Sequence, residues 1–100
     1  MDMKSMMKQA RKMQAELEKA QEEAAGYTAE ASAGGGVVKV IASGDQRIQS
    51  ITIDPSVVDP EDVEMLQDLV LAAANDALGQ VAALVNTRMN AITGGASLPF

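Results

Sequence analysis

Cysteine, histidine and tryptophan are all missing from this 100-residue chain, and tyrosine and phenylalanine occur once each. Without cysteine there is no disulfide framework and no thiol nucleophile; without histidine there is no imidazole base and none of the usual zinc ligand sets. The central residue of most enzyme mechanisms is absent. Scattered serines have no base to activate them, and no pair of carboxylates is marked out for acid–base work. The expectation is a protein that is not an enzyme, with no cofactor, no metal and no small-molecule substrate. No apolar run approaches the roughly 20 residues of a membrane span, and the N-terminus alternates Met with Lys instead of carrying a signal peptide's apolar block. A cytoplasmic protein with no membrane partner is expected. Positive charge is also scarce: eight Lys and Arg stand against fourteen Asp and Glu, a formal charge of -6. That balance favours solubility and speaks against a uniformly basic surface.

The charges are nevertheless sorted. Lys4, Lys8, Arg11, Lys12 and Lys19, five of the eight cations, fall in the first nineteen residues. Residues 1 to 15 hold four basic side chains and one acid, a net of +3, which leaves -9 for residues 16 to 100. From Asp54 to Asp76 come seven acids without one Lys or Arg. At about 100° per residue on a helix, Lys4, Lys8, Arg11 and Lys12 share a face while Met6, Met13 and Leu17 occupy another. Long flexible cations in such a stripe can track a phosphate backbone, a contact that positions without reading sequence. A merely solvated helix face would show the same pattern. Binding to a membrane surface is the weaker reading, because the segment lacks the Trp and Phe anchors of interfacial helices.

Met3, Met6, Met7, Ala10, Met13, Leu17, Ala20 and Ala24 recur every three or four residues, which predicts a helix from about Asp2 to Ala25, stopped by Gly26. Tyr27 to Ala33, a Gly34-Gly35-Gly36 turn and the β-branched run Val37 to Ile41 predict a hairpin. Gly44-Asp45 marks a second turn, and Ile48, Ile51 and Ile53 a third strand ending at Asp54-Pro55. Asp59 before Pro60, with Glu61, Asp62 and Glu64 following, predicts the start of a second helix. Its apolar stripe runs through Val63, Leu66, Leu69, Val70, Ala73, Ala77, Val81, Leu84 and Ile92 to Gly94-Gly95. Unbroken, it would have about 33 residues and span ~50 Å, against a radius of gyration of about 13 Å for a compact domain of this size. The helix must therefore project, or bend near Gly79. Its uncovered flank and the open edges of a three-stranded sheet both point to a homodimer. The methionines on the apolar stripe are expected to pack in the core. The acids around Asp59 lack calcium-loop spacing and read as helix caps, and the triple glycine reads as a turn instead of a phosphate cradle, which should open a helix.

Met7 to Gln14 (Met-Lys-Gln-Ala-Arg-Lys-Met-Gln), Gly35-Gly36-Val37-Val38-Lys39-Val40, Ile53-Asp54-Pro55, Glu64 to Val70 and Ala73-Ala74-Asn75-Asp76-Ala77 resemble, in order and spacing, the YbaB/EbfC family of small bacterial nucleoid-associated proteins. The likeness covers nearly the whole chain. It implies an α+β fold with an N-terminal helix, a three-stranded antiparallel sheet and a long C-terminal helix, assembled as a tweezer-like homodimer whose helix arms bind double-stranded DNA. Residues 1–95 would form the single domain and 96–100 a short flexible tail. A nucleoid-associated role in organising DNA or regulating genes follows from the same likeness. The family often has a basic residue shortly after the Asn-Asp-Ala block; this chain reads Leu78-Gly79-Gln80, which leaves Arg88 as the second arm's one cation. Weak binding that depends on low salt is expected.

The DNA contacts are thus expected from Lys4, Lys8, Arg11, Lys12, Lys19 and Arg88. The dimer interface is expected from the sheet and the start of the long helix, through Val40, Ile51, Ile53, Leu66, Leu69, Val70, Ala73 and Ala77. The rival expectation is a protein-interaction scaffold whose apolar helix flanks take a partner protein and which does not bind DNA directly.

Overall fold

The computed structural model describes residues 2–94. Helix α1 covers Met3–Ala25; strands β1 (Thr28–Ala33), β2 (Val38–Ser43) and β3 (Ile48–Ile53) follow; a 3-10 turn spans Pro55–Val57; and helix α2 covers Val63–Ile92. The expected flexible tail lies outside the described residues.

The strands form an antiparallel meander in the order β1-β2-β3. The β1–β2 connection is made by Gly34, Gly35 and Gly36 at φ of 65°, 75° and 99°, a left-handed run that residues with a Cβ rarely adopt. Strand alternation gives the sheet two faces. Ala29, Ala31 and Ala33 pair with Ala42, Val40 and Val38, which in turn align with Ile51 and Ile53 across the Val40–Ile51 and Val38–Ile53 pairs. The other face presents Glu30, Ser32, Lys39, Ser50 and Thr52, all exposed.

Helix α2 lies over β1 and β2 on the apolar face. Ala31, Val38, Val40 and Ala42 of the sheet and Ala73, Ala77 and Val81 of α2 form the buried core. These small side chains let helix and sheet approach closely, and they make the core thin. Strand β3 is left half outside it: Ile48 is 42% and Ile51 46% exposed.

One expectation is corrected and two are refined. Helix α2 begins at Val63, capped by Asp62, whose carboxylate accepts from the Met65 amide at 3.3 Å. Asp59 instead closes a tight turn: its carboxylate accepts from the Glu61 amide and its carbonyl from the Asp62 amide. Second, α2 runs unbroken through Gly79, where neighbouring turns supply the backbone hydrogen bonds that glycine alone does not disrupt. Third, α2 is long and apolar enough to cross a membrane by length and composition. It carries Glu64, Asp68, Asp76 and Arg88 along its length, and its Ala73, Ala77 and Val81 are consumed by the sheet.

The molecule measures 71 × 20 × 16 Å with a radius of gyration of 19.4 Å, well above the ~13 Å of a compact chain this long. The part that stands free is the first half of α1. Its second half packs on the end of α2 through Ala20 and Ala24, each 1% exposed, and the β2–β3 turn closes on it where Gly44 meets the Ala24 carbonyl.

Candidate nucleic-acid interface

Every residue from Asp2 to Glu16 is exposed, so the projecting half of α1 is helical on its own account. Between Met3 and Ala25 there is no glycine, proline or β-branched residue; apart from Ser5 the segment is built from strong helix formers. Asp2 caps it by accepting from the Ser5 amide at 2.8 Å, and that backbone hydrogen bond holds the Asp2 carboxyl below the usual carboxylate range. The cap's contribution is therefore present above the unfolded-state value and is lost as pH falls through the lowered one.

The cations gather as the charge pattern predicts. Lys4, Lys8 and Arg11 line one shallow concavity with Met7 between them. Lys12 and Lys19 are exposed on the same side by helical phase. Among the described residues the two ion pairs are Arg47–Asp45 at 3.7 Å and Arg88–Glu23 at 3.6 Å. Among those residues the arm's cations therefore stand without an anionic partner. Arg88 differs from the rest. It binds Glu23 at the α1–α2 junction and lines a hollow there with Glu16, Lys19 and Ile92. An exposed pair of this kind contributes little to stability, but its charge is already half answered.

The methionines do not go where their spacing suggested. Met3, Met6, Met7 and Met13 are 78%, 56%, 52% and 48% exposed. The apolar stripe is real, and its lower end, Ala20 and Ala24, is buried against α2; above Glu16 no described element reaches it. Spacing identified the face but could not show where its covering helix ends.

The residues expected at a dimer interface divide into two groups. Val40, Ala73 and Ala77 are 0% exposed in the protomer's own core, so a second chain can bury none of their surface. Ile53, Leu66, Leu69 and Val70 are half-buried and Ile51 is exposed. Ile53, Leu66 and Val70 share an apolar groove with Gln67, Leu71 and Ala74. Leu71, 60% exposed, lines the same groove from just outside the stripe that faces the sheet. Among the described residues no cluster of three acids is poised to hold a metal.

Residues 1–96 match a family model described as the YbaB/EbfC DNA-binding family. A nucleoid-associated protein of Moorella thermoacetica is 58% identical over 98 residues, covering 98% of this chain and 94% of the relative. One from Desulforamulus reducens is 56% identical over 98 residues, covering 98% and 93%. Among solved structures, an uncharacterized protein from Helicobacter pylori superposes with a TM-score of 0.73 at 26% identity, covering 94% of this chain and 96% of that one.

Proposed function

Since the chain belongs to the YbaB/EbfC DNA-binding family, we propose that it is a nucleoid-associated protein, hence cytoplasmic, that grips duplex DNA with the projecting half of α1. Neither the family nor its named relatives describe an enzyme. The observation that carries the reading is the arm itself: Lys4, Lys8, Arg11 and Lys12 are exposed, make no ion pair among the described residues and are held on one face of a free-standing helix. Local charge decides a phosphate contact, because at about 0.15 M salt the acids of the sheet end are screened beyond ~8 Å. Lys19 lies at the base of this face, and Arg88, tied to Glu23, contributes least.

Contacts of this kind bind backbone and tolerate sequence. A pair of arms neutralising ~4 to 8 phosphates gives a log-log salt slope of about -4 to -7. A mobility-shift titration across a salt series measures it; a slope near zero, or no shift at about 50 mM salt, overturns the reading in favour of a protein-interaction scaffold.

The protein works as a homodimer in this reading, which brings two arms to one duplex. Supporting it are the half-covered apolar face of β3, the free strand edge beside it and the groove through Ile53, Leu66, Val70 and Leu71. Leu71→Asp places a charge in that groove and is expected to shift sedimentation from dimer toward monomer by about tenfold or more in dissociation constant, while leaving secondary structure intact. Unchanged sedimentation would move the interface elsewhere.

A further inference from the structure

We infer that Met7 is a reversible oxidation site through which a peroxide turns down the α1 arm's hold on phosphate. The inference rests on the DNA-binding reading above and adds a regulation to it. The chain has no cysteine, histidine or tryptophan, so methionine sulfur is its most readily oxidised side-chain group. Met3, Met6, Met7 and Met13, four of the seven methionines, stand on the projecting half of α1, each about half exposed or more. Peroxide therefore reaches them without any unfolding. Their positions differ, however. Met7 lines the concavity formed by Lys4, Lys8 and Arg11, whereas Met6 and Met13 line a separate hollow with the uncharged Gln9 and Ala10.

In the reaction a lone pair on the Met7 sulfur attacks one oxygen of hydrogen peroxide as the O–O bond breaks. An S–O bond forms, and the departing hydroxide takes the proton shed by the transferred oxygen and leaves as water. Sulfur gives up two electrons and the peroxide gains them. The product is a polar, chiral sulfoxide where an apolar thioether stood. Its oxygen accepts hydrogen bonds, and the donors around it are the side chains of Lys4, Lys8 and Arg11, none of which makes an ion pair among the described residues. A phosphate arriving at the concavity then meets donors already engaged and the negative end of the S–O dipole. The number of cations is unchanged, so the effect is local to the concavity. Methionine sulfoxide reductases A and B, with a dithiol as reductant, release the oxygen as water and restore the thioether.

The test compares duplex mobility shifts at about 50 mM salt before and after treatment of the full chain with hydrogen peroxide, the Met7 sulfoxide being verified by peptide mass spectrometry. Oxidation is expected to weaken binding about tenfold, and treatment with both reductases to restore it. Met7→Leu keeps volume and helix propensity; it is expected to bind like the parent and to stay within about twofold of it after peroxide. Met6→Leu/Met13→Leu leaves Met7 oxidisable and is expected to show the parent's full loss. An unoxidised protein that gives no shift would overturn the DNA reading and this inference with it. Binding that survives oxidation of Met7, or that falls equally in Met7→Leu, would overturn this inference alone.

Discussion

Reversing three arm cations together, Lys8→Glu/Arg11→Glu/Lys12→Glu, is expected to weaken duplex binding by about 10³-fold or more at about 50 mM salt, since the proposed two-armed grip would lose three phosphate contacts and gain three repulsions on each arm. All three residues are exposed and make no ion pair among the described residues. Glutamate is as good a helix former as lysine. Helicity and sedimentation should therefore stay unchanged while binding collapses. The informative control is Lys39→Glu/Arg47→Glu: both residues are exposed at the sheet end, where the same type of charge reversal is expected to cost less than about tenfold. Equal losses from the two variants would mean that overall charge governs binding, and retained affinity in the arm variant would remove α1 as the site.

The second large effect is structural. An added Cβ at Gly44 would lie 1.8 Å from the Ala24 carbonyl oxygen and 2.8 Å from its carbon, with Val85 Cγ2 at 3.2 Å. The first two are backbone atoms, so no side-chain rotation relieves the overlap. Gly44→Ala is expected to destabilise the protein by about 3 kcal/mol, a large share of the ~5–15 kcal/mol a small domain possesses. The damage falls on the junction that holds the arm: α1 must lift from the β2–β3 turn and from α2, and amide protection around Ala20 and Ala24 is expected to drop first. Gly79→Ala is the contrast. Nothing lies within 4 Å of its added Cβ, and in a helix interior it is expected to stabilise by about 0.5–1 kcal/mol. A Gly44→Ala variant within about 0.5 kcal/mol of the parent protein in urea denaturation would refute the close contact.

Much of the architecture was legible because it depends on local rules. Helical and strand periods, the three-glycine turn, the Asp54-Pro55 boundary and the stop at Gly94 are set within a few residues of chain. The cationic face of α1 was legible too, because no packing intervenes between sequence and surface along a free helix. The start of α2 was misplaced by three residues, since Asp59-Pro60 satisfies equally well the rules of a cap and of a tight turn. What separated them was the Asp62 carboxylate reaching the Met65 amide.

By itself, then, the sequence determined the order and type of the elements, the two faces of α1 and the poverty of catalytic groups. Tertiary structure alone decided which apolar residues have partners: Val40, Ala73 and Ala77 vanish into the protomer while Met6, Met13 and Leu71 remain outside. It also decided that Arg88 answers Glu23 and that Gly44 is a contact as well as a turn. The reason is physical: periodicity states that a face is apolar, but burial requires a second surface, and where that surface begins and ends is set by contacts between residues distant along the chain.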